Sequence, residues 1–266
     1  MSVAAASVVA MLKRSLSPSR ASDFQQCPQL YQFRVIDRLS EPPSPAATKG
    51  TLVHAVVEEL FGLPAAERTV ARAKSLVPGQ WQVLLEGRPE LAEMFADGEE
   101  AAWLASAVDL LDGYFAIEDP QRYEPAALEE HVGYETASGL RLQGIIDRVD
   151  IAPDGRIRII DYKSGKSPHF RFQDKALQQM RFYALVVWRT RGVLPTLLQL
   201  YYFADHQVLS LEPTEDDLLA TERKMLALWD AIETAYETDH FPPSPSKLCD
   251  WCAHRAICPA FAPTVD

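Results

Sequence analysis

The sequence predicts an α/β protein with a mixed central sheet flanked by helices. Three observations carry this. Apolar residues recur at helical spacing through much of the first 117 positions. From about residue 129 the period changes, and 129–136, 140–151 and 156–163 read as three strands in succession. A helix rich in Leu, Val and aromatics at 172–191 then leads to two more strands, 196–204 and 207–212. Helices, a three-stranded meander, a helix and further strands make an α/β domain rather than an all-α or all-β one.

The elements follow in order. Ser17-Pro18 joins an N-cap residue to proline at the first helical position, so a helix runs from there to about Val35, with Phe24, Cys27 and Tyr31 near one face. Residues 41–48 read as a loop. A second helix spans about 50–61, with Val53, Val57, Leu60 and Phe61 as its apolar stripe. The region 65–117 is mostly helical, with breaks at Pro78 and Pro89, and reads as a helical insertion or subdomain. A last helix covers 215–237, and Pro242, Pro243 and Pro245 lead into a cysteine-rich end.

A chain of 266 residues with 47% hydrophobic content buries a full core, and one domain is expected over 16–260. Residues 1–15 read as a flexible extension. Their apolar run precedes Lys13 and Arg14, the reverse of a secretory signal. No stretch approaches the roughly 20 apolar residues that span a membrane, so a cytoplasmic protein is expected; its oligomeric state is not legible. The net charge of −11 is uneven. Residues 86–135 carry 14 acidic and 2 basic side chains, read as a solvated helical face, whereas 141–191 carry 11 basic and 5 acidic. A polyanion responds to the local field, so the net charge does not exclude DNA.

The chemistry centres on one hairpin. In Ala152-Pro153-Asp154-Gly155-Arg156, Pro and Asp occupy type I turn positions and Gly follows where the chain needs a left-handed residue. Pairing Ala152 with Arg156 makes opposed residues sum to 308. Asp147 then faces Asp161, with Cβ atoms roughly 5 Å apart. Lys163 lies on the face of Asp161, two residues on. Carboxylates this close repel unless a divalent cation lies between them, and oxygen ligands suit Mg²⁺ or Mn²⁺. The same charges could serve as solvated salt bridges. The apolar flanks Gly144-Ile145-Ile146 and 157–160 argue instead for a central strand pair, where charges need a reason.

The four cysteines are Cys27 and, with 221 residues between, Cys249-x2-Cys252-x5-Cys258. Four thiolates satisfy an iron–sulfur cluster or a structural zinc, and spacing leaves both open. His254, inside the run, also leaves a mixed zinc site open.

Gly144-Ile-Ile-Asp147-Arg-Val-Asp150 followed by Ile160-Asp161-Tyr162-Lys163-Ser-Gly165 resembles the D…(D/E)-x-K core of PD-(D/E)XK nucleases, and within them the RecB-like exonuclease domain. Gly50-Thr-Leu-Val-His54 matches that family's upstream Gly-x-x-x-His element. Gln179-Met-Arg-Phe-Tyr183 matches its Gln-x-x-x-Tyr element. The cysteine pattern is similar to the iron–sulfur subset, which includes AddB-type nuclease domains and CRISPR-associated exonucleases. The likeness runs from about Leu16 to Pro259, with five elements in order, and is weakest over 65–117.

The resemblance implies a restriction-endonuclease-like core closed by a [4Fe–4S] cluster on Cys27, Cys249, Cys252 and Cys258. It implies Mg²⁺ or Mn²⁺ held by His54, Asp147, Asp161 and the Tyr162 carbonyl, with Lys163 assisting the attacking water. Gln179 and Tyr183, one turn apart on a helix face, would contact the water, the lysine or DNA. Glu58 would orient water or remain an exposed helix charge. Lys166, Arg171, Lys175 and Arg181 would meet phosphates, and Phe170 and Phe172 would stack on bases.

The implied activity is a metal-dependent DNA exonuclease of repair, recombination or defence, with a helicase or CRISPR partner left open. Single-stranded ends are the expected substrate, because the chain carries no ATP-binding motif. Gly165-Lys166-Ser167 lacks the P-loop's first glycine, since Ile160 stands there. The rival readings are a non-catalytic module that binds DNA or protein on the same fold, and a zinc-stabilised nuclease.

Overall fold

A computed structural model describes residues 14–96 and 98–261, so most of the extension expected at 1–15 lies outside the described residues. The elements are β1 (Ser15–Leu16), α1 (Pro18–Gln26), α2 (Pro28–Tyr31), α3 (Pro45–Phe61), α4 (Val70–Gly87), α5 (Glu99–Ile117), β2 (Ala127–Glu135), β3 (Arg141–Ile151), β4 (Ile157–Lys163), α6 (Gln173–Arg191), β5 (Leu197–Tyr202), β6 (Gln207–Leu211) and α7 (Glu215–Thr238). The expected α/β class with a mixed sheet is observed. Among the described residues, no helix is long and apolar enough to cross a membrane.

Three local expectations are corrected. The first helix starts as read, with the Ser17 side chain accepting from Arg20 N–H and Pro18 at its first position. It breaks at Cys27, which is extended at φ −164°. Pro28 is the reason, because a residue that precedes proline is pushed out of the α region. The segment read as a loop at 41–48 instead holds the start of α3, capped by Ser44 with Pro45 at its first position. Pro78 lies inside α4 without ending it. Ala73, Leu76, Val77 and Trp81 are buried on that helix, and their packing outweighs the lost backbone hydrogen bond.

The chain forms two compact units. One holds residues 43–132 and 145–217. In it β3 and β4 pair antiparallel as Arg148↔Ile160, Val149↔Ile159, Asp150↔Arg158 and Ile151↔Ile157, the register read from the turn. Ala152 N–H donates to Arg156 O at 2.9 Å, and Gly155 takes φ +85° as that turn requires. β4 pairs parallel with β5 across the α6 crossover, and β5 pairs antiparallel with β6. β4 thus has a neighbour on each side, and Ile157, Ile159, Ile160, Asp161 and Tyr162 are all buried.

The apolar faces of α3, α4 and α5 form one core with Ile160, Tyr162, Tyr201 and Phe203, including Trp81 and Trp103 with ring centroids 4.9 Å apart. A Cβ on Gly113 would lie 1.9 Å from Phe203 O, so only glycine lets α5 approach the chain there. Among the described residues, the second unit holds 14–42, 133–144 and 218–261. There β1 pairs parallel with the start of β3, through Ser15↔Arg141 and Leu16↔Leu142.

Candidate active site

The site forms where β3, β4, α3 and α6 bring polar side chains out of an otherwise apolar framework. Asp147 lies in the buried stretch of β3 between Ile146 and Val149, and its Oδ2 accepts from the Tyr162 backbone N–H at 2.7 Å. His54 stands on α3. Its Nε2 lies 2.9 Å from Tyr162 O and its Nδ1 3.5 Å from Asp147 Oδ2. One turn earlier, Gly50 faces Ser164, whose Oγ would lie 3.2 Å from an added Cβ, so the glycine sets how closely α3 meets the end of β4.

Asp161 and Lys163 leave β4 on one face, and Lys163 Nζ lies 2.5 Å from Asp161 Oδ2 as an ion pair rather than an aligned hydrogen bond. Gln179 on α6 ties the two together. Its Nε2 donates to Asp161 Oδ1 at 2.8 Å while its Oε1 accepts from Lys163 Nζ at 3.1 Å. Tyr183, one turn on, accepts from Gln179 Nε2 at 3.1 Å. The structure therefore brings together His54, Asp147, Asp161, Tyr162, Lys163, Gln179 and Tyr183.

Burial and the neighbouring Asp161 charge raise the Asp147 carboxyl to about 8. Burial lowers the His54 imidazole, against the pull of Asp161, which favours the neutral ring that a metal requires. Carboxylates crowded together, with one of them resisting ionisation, are what a bound cation relieves. Oxygens with one imidazole fit Mg²⁺ or Mn²⁺.

Glu129 was missed. A ligand atom from each of His54, Glu129 and Asp147 lies within 4.8 Å of the others. Sequence reasoning placed Glu129 in a solvated acidic stretch. Nothing local marks it, because its backbone takes φ +44° within β2 and departs from the strand's alternation. That acidic stretch also contains Glu118, which is buried and accepts from Arg148.

Arg148 itself is not a solvated partner of its neighbours. It is 0% exposed, donates to Asp150 at 2.8 and 3.0 Å, and lies over the Phe61 ring at 4.6 Å. Of the expected phosphate contacts, Lys166, Arg171 and Lys175 are exposed, while Arg181 donates to Asp174 at 2.7 Å. Glu58 is exposed. Phe170 and Phe172 are 68% and 61% exposed.

In the other unit, Cys27, Cys249, Cys252 and Cys258 line one cavity and form no disulfide. Ser244 N–H donates to Cys27 Sγ and Ser246 N–H to Cys249 Sγ, both at 3.3 Å. His254 is buried and its Nε2 lies 2.9 Å from Glu41 Oε1, away from a role in that cavity's lining.

A profile of the PD-(D/E)XK nuclease superfamily matches residues 15–259, and the chain belongs to that superfamily. Nucleases of this class use divalent metals. The chain is 25% identical to the Gene 69 protein of Mycobacterium phage D29 over 92% of its own length and 96% of the relative's. It is 22% identical to the Gene 69 protein of Mycobacterium phage L5 over the same shares. A crystal structure of a Eubacterium rectale protein assigned as an exonuclease superposes with a TM-score of 0.60 at 14% identity, covering 91% of this chain and 88% of the other, which is a likeness of fold.

Proposed function

We propose that the protein is a divalent-metal-dependent deoxyribonuclease of the RecB-like type that degrades DNA from its ends and prefers single strands. The observation that carries this is Gln179 bonded at once to Asp161 and Lys163, which fixes a carboxylate and an ammonium side by side at the centre of a superfamily nuclease. His54, Asp147, Asp161 and the Tyr162 carbonyl would hold Mg²⁺ or Mn²⁺. When bound, the cation lowers the pKa of a water and offsets charge on the phosphate.

The chain's own groups do the rest. Lys163 Nζ, held by Asp161 and Gln179, orients the water and meets the charge that grows on the phosphoryl oxygens. The water oxygen bonds to phosphorus, its proton passes to solvent, and the departing sugar oxygen leaves with a proton drawn from solvent. Tyr183 keeps the Gln179 amide aligned, so that its oxygen faces Lys163 and its nitrogen faces Asp161. Exposed Lys166, Arg171 and Lys175 favour a phosphate track. Phe170 and Phe172 favour unpaired bases, which alone offer free faces for stacking.

The proposal extends to a [4Fe–4S] cluster on Cys27, Cys249, Cys252 and Cys258, and to a single nuclease domain over 16–260 in which 65–117 is a helical insertion. Supporting the cluster are the one cavity that all four thiols line and the N–H groups directed at two of the sulfurs. Such a group would staple residue 27 to residues 249–258 and would close a long loop. Reduced thiols fit a cytoplasmic setting. Iron and sulfide assays on anaerobically purified protein test it, and zinc without iron overturns it. Repair, recombination and defence remain the candidate settings, with a helicase or CRISPR protein as partner.

The nuclease reading is tested with end-labelled single-stranded and duplex DNA in Mg²⁺ or Mn²⁺. Metal-dependent shortening of the single strand supports it. No cleavage by metal-loaded protein that still binds DNA favours the non-catalytic module.

A further inference from the structure

Both oxygens of Asp161 are engaged inside the protein, Oδ1 by Gln179 at 2.8 Å and Oδ2 by Lys163 at 2.5 Å. The ligand atoms that face one another are instead those of His54, Glu129 and Asp147, all within 4.8 Å. The Glu129 carboxylate makes no hydrogen bond or ion pair among the described residues, so its lone pairs are available. Its backbone lies at φ +44°, in the left-handed region that a glutamate adopts only where its surroundings compel it. The strand is anchored on both sides of this point. Leu128 packs against the core, and Glu130 accepts from Arg191.

We propose that Glu129 is a direct ligand of the divalent cation, shared with His54 and Asp147. The inference rests on the metal-dependent nuclease reading and adds a side chain to the set which that reading uses. The chemistry follows from the donors. A neutral imidazole nitrogen and two carboxylates meet at one point, and hard oxygen donors in excess raise the affinity for Mn²⁺ or Mg²⁺. The strained residue in β2 is then the means by which a strand, rather than the catalytic hairpin, delivers a carboxylate to the cation.

Mn²⁺ binding is measured without DNA, by the paramagnetic resonance signal of free Mn²⁺, on the full chain and its variants. Glu129→Gln is expected to weaken Mn²⁺ binding at least about 10-fold, as Asp147→Asn does, while Glu130→Gln leaves it unchanged. Glu129→Gly, which relaxes the left-handed residue, is expected to fold at least as stably as the parent and still to lose the affinity. Wild-type affinity in Glu129→Gln and Glu129→Gly overturns the proposal, and so does an equal loss in Glu130→Gln. Cleavage by the parent is scored alongside. A parent that cuts DNA while Glu129→Gln binds Mn²⁺ normally sinks this inference alone. A parent that binds Mn²⁺ through Glu129 and cuts nothing sinks the nuclease reading alone. A parent that binds no Mn²⁺ sinks both.

Discussion

The Tyr162 backbone N–H donates to Asp147 Oδ2 at 2.7 Å, and the Tyr162 carbonyl lies 2.9 Å from His54 Nε2. One residue of β4, through the peptides on its two sides, therefore orients both a carboxylate from β3 and an imidazole from α3. Its side chain meanwhile packs inward, at 5.9 Å from Tyr114 and 5.6 Å from Phe203. The site's geometry is anchored to the core by a residue whose ring packs against Tyr114 and Phe203 and meets the edge of His54 at 5.9 Å.

Asp147 makes the metal-free protein sensitive to pH. Its carboxyl titrates near 8 when folded and near 3.8 as a free aspartate, so the folded state holds the proton more tightly. Stability from this group is present at low pH and is lost as pH rises from about 4 through 8. Calorimetry in EDTA should show Tm falling between pH 5 and 8. Asp147→Asn should flatten that fall and stabilise the metal-free protein at pH 8 by on the order of 2 kcal/mol, while abolishing cleavage. Mn²⁺ should raise Tm more at pH 8 than at pH 6, because protons compete with the cation.

Lys163→Ala should lower the cleavage rate by about 100-fold or more with DNA affinity nearly unchanged. Labelled-oligonucleotide anisotropy and single-turnover cleavage separate the two effects. Equal cutting by the variant would remove Lys163 from the chemistry.

Tyr183→Phe deletes one hydrogen bond to Gln179 and should slow cleavage by no more than about 10-fold, the equivalent of roughly 1.4 kcal/mol. Gln179→Ala frees Lys163 and Asp161 together and should cost more. A rate loss in Tyr183→Phe that matches Gln179→Ala would mean that the hydroxyl contacts substrate itself.

Phe170→Ala and Phe172→Ala should each weaken single-stranded DNA binding by about 1–3 kcal/mol, with little change for duplex. Their exposure predicts that Tm will barely move. Uniform loss on both substrates would argue against stacking.

Arg148→Ala should destabilise the protein by about 3–5 kcal/mol, read by urea unfolding, because buried Glu118 is left without its cation and Asp150 keeps only Arg158. Arg148→Met keeps the contact with Phe61 but not the charge, and should recover little.

Local signals reached far into this protein. The turn at 152–156 set the pairing of β3 with β4, since a two-residue side-chain period leaves no freedom once one pair is fixed. Asp147, Asp161, Lys163, Gln179, Tyr183 and His54 were each legible as motif positions, and they meet. Two errors were also local. Pro28 broke the first helix at Cys27, and Ser44-Pro45 started α3 earlier, both by rules that the Ser17-Pro18 start had already illustrated.

The sequence by itself determined the elements, the hairpin register and the acidic pair, because turn chemistry and side-chain alternation act over a few residues. Only the tertiary structure decided that Glu129 joins His54 and Asp147, that Arg148 is buried rather than solvated, and that Gln179 bridges Asp161 to Lys163. These groups lie up to 125 positions apart, as His54 and Gln179 do. Their meeting depends on how α3, β2 and α6 pack around β4, which no local rule reports. Packing also holds Glu129 at a φ that its own preference disfavours, and a strained residue is invisible in a pattern of preferences.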